Sequence, residues 1–194
     1  MVAGEVGDVV PLVRDVLAEL GPSYRSFGEA RLIDAVVAGV PGLVSLAPFL
    51  WMETCSPVGG PCPGPDVRWL DTAAEHEARP LFDLSFPHSH AQPGRVGVRR
   101  WAGVRDVDGG LLAVAADAWS GVGCGLLGGV VVHPGARGRG LGAAVSRFVV
   151  EALVRDYGRA ALVVDADNVP AIVAYERIGM RGVLFGAAAV SRPT

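Results

Sequence analysis

The residues best suited to chemistry lie in Val130-Val131-Val132-His133-Pro134-Gly135-Ala136-Arg137-Gly138-Arg139-Gly140-Leu141-Gly142-Ala143. An apolar run ends at Pro134, and a glycine-rich turn opens into a segment with Leu141, Val145, Phe148, Val149 and Leu153 at helical spacing. At such a junction the first backbone N–H groups of the helix have no intrahelical acceptor, and the aligned peptide dipoles add partial positive charge. An anionic phosphate is stabilised there. Gly138, Gly140 and Gly142 present no side chain to hold phosphate oxygens away from the backbone, and Arg137 and Arg139 can add charge-assisted hydrogen bonds.

Other phosphate turns fit less well. A P-loop needs Gly-Lys-Ser/Thr, and this chain contains no lysine. The dinucleotide pattern is matched by Gly123-Cys124-Gly125-Leu126-Leu127-Gly128 and, with a final alanine, by Gly138 to Ala143. The first match precedes a strand rather than a helix, and neither is followed by a well-placed acidic residue unless Asp165 is stretched into that role. A loop that merely turns is the plain alternative.

The elements that must hold this turn follow from periodicity. Asp8 precedes an apolar stripe of Val9, Leu12, Val13, Val16, Leu17 and Leu20 that stops at Gly21-Pro22, which predicts a helix. Ser26-Phe27-Gly28-Glu29 has the form of a capping box, leading into a second helix through Leu32, Ile33, Val36 and Val37 to Gly39. Leu43 to Thr54 reads as one strand, and the Pro/Gly-rich segment from Ser56 to Pro65 as a linker. The expected division is therefore 1–65, a divergent segment of two helices, a strand and the linker, and 66–194, a mixed α/β domain. In the latter, strands are expected at Val67 to Leu70, Arg95 to Arg105, Leu111 to Ala116 and Leu126 to Val132. A helix through Ala78, Leu81 and Phe82, distorted at Pro80, separates the first two. After the turn come the helix from Leu141, a strand at Ala161 to Val164, a helix from Val169 to Ile178 and a strand near Val183 to Val190.

Composition narrows the functions. The 194 residues are 51% hydrophobic, enough for one sizeable core or one domain with a partial second. With 17 basic and 20 acidic residues, a net charge of -3 and no basic run, nucleic acid is not an expected partner. Because every basic residue is arginine, Schiff-base and lysine-nucleophile chemistry are excluded. The start, Met1-Val2-Ala3-Gly4-Glu5, lacks the features of a signal peptide, and the apolar stretches at Leu43–Met52 and Gly109–Val132 are too short or too interrupted to span a membrane. Cys55, Cys62 and Cys124 are an odd, sparse set that suits free thiols in a reducing cytoplasm, and their spacing with His88 and His90 fits no usual zinc pattern. A cytoplasmic protein without a metal is expected.

The turn from Val132 to Gly142 resembles the acyl-CoA-binding motif of the GCN5-related N-acetyltransferase (GNAT) superfamily, Arg/Gln-x-x-Gly-x-Gly/Ala. Downstream, Asp165-Ala166-Asp167-Asn168-Val169-Pro170-Ala171-Ile172-Val173-Ala174-Tyr175-Glu176-Arg177-Ile178-Gly179-Met180 resembles the next motif of that superfamily, in the right order and spacing. The resemblance covers about Val67 to Val190 and is best after Leu126. It implies an α/β (α+β) fold with a mixed, mostly antiparallel central sheet, a splayed parallel strand pair and flanking helices. It implies acetyl-CoA (coenzyme A) as co-substrate, no metal, and direct acyl transfer to a small-molecule amine or a peptide N-terminus, by a monomer or homodimer. The other reading is a non-catalytic acyl-CoA-binding or sensing module.

By the same resemblance, backbone groups of Val130, Val131 and Val132 bond the pantetheine arm, Arg137 to Gly142 hold the pyrophosphate, and Asn168 bonds the cofactor beside the thioester. Asn168 also suits a plain helix N-cap. Tyr175, seven residues beyond Asn168 and so on the same helical face, corresponds to the general acid that protonates the departing thiolate. A half-buried packing aromatic is its plain alternative. Glu77, His88, His90 and Asp117 are candidate bases by residue type only. Trp51, Trp69, Trp101 and Trp119 are candidates for an acceptor pocket or for ordinary core.

Overall fold

The computed structural model describes residues 1–57 and 64–191. In chain order the elements are α1 (Val6–Leu20), β1 (Ser26–Glu29), α2 (Ala30–Gly39), β2 (Leu43–Ser45), β3 (Phe49–Thr54), β4 (Arg68–Trp69), α3 (Thr72–Glu77), α4 (Arg79–Ser85), β5 (Val98–Arg105), β6 (Leu111–Ala118), β7 (Gly125–Val132), α5 (Leu141–Tyr157), β8 (Ala160–Asp165), α6 (Val169–Arg177) and β9 (Arg181–Val190). The sheet is mostly antiparallel with one parallel pair and flanking helices, as expected. The chain forms two compact units, Met1–Trp51 with Val163–Val169 and Gly182–Thr194, and Met52–Leu162 with Pro170–Arg181.

The first unit joins the two ends of the sequence. β1 and β2 both pair antiparallel with β9, in registers that set Ser26 opposite Ala188 and Leu43 opposite Val190. Val9 and Val13 of α1, Ile33 and Val36 of α2, Val40, Leu43 and Ala188 share one apolar core. The segment 1–65 therefore does not build its core alone. The Pro/Gly segment expected to divide the chain has its centre, residues 58–63, outside the described residues.

Two local expectations are corrected in this unit. Ser26 to Glu29 is a strand and not a capping box, because its backbone groups are satisfied by β9 rather than by its own side chains. Glu29 occupies the N-cap position of α2 without a side-chain capping bond. The apolar run from Leu43 to Thr54 is two strands, interrupted ahead of Pro48, which has no N–H to donate to a ladder.

In the second unit β4 to β8 lie in sequence order, antiparallel through β7, and β8 runs parallel to β7. The helix expected through Ala78 is broken there into α3 and α4, with Pro80 in the first turn of α4, where its missing N–H costs nothing. Leu81 and Phe82 of α4 pack with Trp101, Val114, Ala116 and Val131 in the core.

β7 is bent by one extra residue. Val131 pairs with Val114 but Gly128 pairs with Ala116, so three steps on β7 match two on β6. Gly129 lies in this bulge at φ 59°, and a Cβ there would sit 2.6 Å from the Trp101 ring. Only glycine meets both conditions without strain. α5 lies along β7 in the opposite direction, again through glycines: Gly142 meets Val132 at one end, and Gly125 meets Leu153 and Tyr157 at the other. The 17-residue helix and the 8-residue strand match in length, at about 25 Å each.

Gly129→Ala is expected to lower stability by ~2–4 kcal/mol, since it adds a steric clash to a left-handed backbone. Gly138→Ala, at φ 75° with open space around the site, should cost only ~1–2 kcal/mol of backbone strain. Urea unfolding midpoints of the two variants check the order, and equal losses would contradict the clash.

Candidate functional site

The expected turn forms at the end of β7. The His133 amide bonds the Leu112 carbonyl at 2.8 Å, which ties the exit of β7 to the start of β6. His133 Nδ1 then accepts from the Gly135 amide at 3.1 Å, and Pro134–Ala136 makes a single 3-10 turn whose Ala136 is buried. Gly138 and Gly140 both take left-handed backbone, with φ of 75° and 74°. Leu141, 4% exposed, anchors the start of α5.

The consequence is a set of donors aimed outward. Gly140 is the N-cap of α5 and has no side chain to cap with. Among the described residues no acceptor pairs with the amides of Leu141, Gly142 or Ala143. These amides and the helix dipole await an acceptor, and the exposed Arg137 and Arg139 lie just ahead of them in the chain. Neither arginine is ion-paired among the described residues. This geometry fits a pyrophosphate: unpaired donors, flanking guanidinium groups, and open space above Gly138 and Gly140.

The strand leading to the turn has a free stretch. The β7–β8 register consists of Gly125↔Ala160 and Leu126↔Ala161 and stops there. Val130, Val131 and Val132 lie beyond it, just past the Gly129 bulge, with Val131 buried and the other two half-buried. A strand edge whose register with its neighbour ends in this way can accept an amide-bearing chain as an added strand.

Tyr175 is in α6, buried to 9% exposure. Burial pushes its phenol up to about 12, while the Ser146 hydroxyl beside it pulls the other way. Asn168, in the first unit, is exposed immediately before α6, and its amide bonds the Asp165 carbonyl at 3.0 Å.

The candidate bases are scattered. Glu77 is ion-paired with Arg105 at 2.6 Å. His88 and His90 are exposed in the loop after α4. Asp117 is 1% exposed and faces Arg100 Nε at 3.3 Å, the Tyr157 hydroxyl at 3.3 Å and the Ser120 hydroxyl. It pairs with Leu127 on β7, roughly 16 Å down the strand from Val132. Its carboxylate is committed to structure at the opposite end of the sheet. Cys124, at that end too, is a packed thiol whose pKa burial pushes up, which leaves it a poor nucleophile.

The tryptophans divide by environment. Trp101 is core, edge-on to Phe82. Trp69 contacts Phe148 edge-on and lies under the Arg100 guanidinium at 4.1 Å. Trp51 stacks on Phe185. Trp119, 44% exposed at φ 57°, lies over Gly97 and donates to the Val96 carbonyl at 3.1 Å. Sequence reasoning missed Gly129 and Ser146. A Gly-Gly pair inside a strand signals a bulge, and a serine inside the apolar stripe of α5 signals a buried hydroxyl, so both left a trace.

A mixed sheet with a bulged strand, a short parallel pairing and a glycine-rich turn into the following helix is the α/β architecture expected above. Comparison with known proteins makes this specific. The FR47-like protein family matches residues 106–185. A protein from Novosphingobium aromaticivorans described as an acetyltransferase of the GNAT family shares 26% identity at a TM-score of 0.63, over 94% of this chain and 82% of that one. A GCN5-related N-acetyltransferase from Kribbella flavida has the same fold, with 16% identity and a TM-score of 0.68 over 99% of this chain and 79% of that one. A search of curated proteins finds no match. The family match over residues 106–185 and the shared fold make the chain similar to the GNAT acetyltransferases.

Asp117→Ala is expected to lower stability by roughly 3 kcal/mol, because it strands the buried side of Arg100 without its carboxylate. Thermal or urea unfolding checks this, and a wild-type midpoint would show that the Asp117 contacts contribute nothing to the fold.

Proposed function

We propose that this protein is an N-acyltransferase that moves an acetyl group from acetyl-CoA directly to the amine of a small molecule or a peptide N-terminus. The observation that carries the reading is the row of unpaired amides at the start of α5, just after Arg137 and Arg139. The backbone and arginines of Arg137 to Gly142 hold the pyrophosphate. Val130 to Val132 bond the pantetheine arm along the free edge of β7, and Asn168 bonds it nearer the thioester. Bound acetyl-CoA supplies an activated acyl carbon, so the protein needs neither a nucleophile nor a metal.

Tyr175 serves as the general acid. Attack by the amine breaks the thioester C–S bond, and the leaving thiolate takes the phenol proton. Burial suits this task, because it keeps the phenol protonated well above its ordinary value of 10.0. The sign follows directly: a raised pKa means that the acid form is fully present below pH 10 and is lost only as pH rises toward about 12. No separate base is assigned, and the ammonium proton of the acceptor leaves through solvent.

Isothermal titration with acetyl-CoA and CoA should show saturable binding, and a thiol-release screen over amines should find turnover. Binding without turnover on a broad panel supports the non-catalytic module instead, and failure to bind removes both. Tyr175→Phe keeps the packing and should lower kcat by ~10²-fold with acetyl-CoA binding unchanged and with no loss of wild-type rate from phenol ionisation below pH 10. Undiminished transfer by that variant would falsify the acid role.

A further inference from the structure

Trp119, the residue after β6, holds left-handed backbone at φ 57°, a conformation that strains a bulky side chain. Since 44% of the residue remains exposed, burial recovers only part of what so large a ring could supply. The surroundings nevertheless fix the ring. Its amide donates to the Gly97 carbonyl at 2.6 Å, and its indole N–H donates to the Val96 carbonyl at 3.1 Å. Gly97, at φ 90°, yields the space taken by the pyrrole side of the indole, because a Cβ there would overlap it. A segment that only had to turn would take glycine or asparagine in place of Trp119.

The other end of the indole reaches β7. Its Cζ3 lies 4.0 Å from the place a Cβ of Gly128 would occupy, and the Ala91 and Ala118 methyl groups lie 3.3 Å from the same place. A Cβ at Gly129 would also meet Ala91, at 3.2 Å, so the bulge turns both glycines toward one face of the sheet. With the pyrophosphate at the start of α5 and the pantetheine arm running back from Val132 to Val130, the next residues that the cofactor meets are Gly129 and Gly128. The acyl carbon then arrives beside the bulge, next to the indole.

We propose that the open surface of Trp119 is the acceptor platform. It takes a primary amine carried on a flat apolar body, which stacks on the indole while the nitrogen points to the acyl carbon at Gly128 and Gly129. The proposal rests on the acetyl-transfer reading above and names the acceptor class for it. The ring is set among methyl groups and the backbones of Val96, Gly97 and Gly128, a surface that favours stacking and apolar contact over a strongly hydrated body. A ring already held by hydrogen bonds and by close contact with Gly97 also loses little freedom when a ligand settles on it.

The test compares thiol release from acetyl-CoA with benzylamine and with ethanolamine, in wild type, Trp119→Ala and Trp119→Phe. Wild type should favour benzylamine in kcat/KM. Trp119→Ala should raise the KM for benzylamine about tenfold, leaving the KM for acetyl-CoA and the kcat/KM for ethanolamine within about twofold. Trp119→Phe keeps a flat ring and should retain most of the preference. A second readout needs no turnover: in protein saturated with CoA, benzylamine should change the indole emission of wild type and leave that of Trp119→Phe unchanged. Should Trp119→Ala unfold at the assay temperature, Trp119→Phe and the emission carry the test alone. Equal use of the two amines by wild type overturns the proposal, as does an equal loss with both amines in a folded Trp119→Ala, which marks the ring as a structural latch. Wild-type emission that saturating benzylamine leaves unmoved, or a change that persists in Trp119→Phe, overturns it too. Wild-type protein that binds acetyl-CoA and turns over no amine overturns the transfer reading and this proposal together.

Discussion

The contact on which the site depends is that of α5 along β7. The helix can lie close to the strand because Gly125 and Gly142 remove a side chain at each end of the contact. Val145, Val149, Val150 and Leu153 are then buried on the helix, each contributing about 1.5–3 kcal/mol of hydrophobic stabilisation. Since helix and strand run in opposite directions over the same length, the start of α5 is brought back to the end of β7. The connecting turn has to be tight, and left-handed backbone at Gly138 and Gly140 makes it so. A tight turn without a capping side chain leaves the first helical amides without acceptors, so the helix packing and the row of unpaired donors have one structural origin.

The bulge at Gly129 is the second half of this arrangement. The extra residue turns β7 just before Val130 to Val132, and the parallel pairing with β8 ends at Leu126. Beyond that point the strand keeps β6 as its partner, and among the described residues its register with β8 does not continue. Trp101 fills the space left by the missing side chain at Gly129 and joins Phe82 in the core below. The bulge is held by a large buried ring, which makes it a fixed feature and not a local flexibility.

Polar groups are distributed unequally along the sheet. At the end away from the turn, Arg100 is ion-paired with Asp117 and Asp156, Asp117 accepts from the Ser120 and Tyr157 hydroxyls, and the Ser120 hydroxyl also accepts from the Leu126 amide at 2.8 Å. At the phosphate end the amides, the arginines and the Ser146 hydroxyl are left without partners. Native structures rarely leave buried or preorganised polar groups unpaired without a use for them.

The strand-to-helix turn was legible in the sequence because its signal is local: glycines that permit left-handed backbone and the change from an apolar strand to a 3.6-residue period fall within fourteen residues, Val130 to Ala143. The helices α1, α5 and α6 were legible for the same reason. Ser26 to Glu29 was misread because its local signal is that of a cap, whereas its backbone is satisfied by β9, more than 150 residues away. The role of Asp117 likewise depended on Arg100 and Tyr157, which no spacing rule connects to it. Tyr175 could be located by its distance from Asn168, but its burial and its neighbour Ser146 come from the packing of α6 and α5. Backbone conformation and helix ends are set by nearby residues and can be read from them. Strand partners, buried hydroxyl pairs and the environment of an ionisable group depend on contacts between distant segments, which only tertiary structure decides.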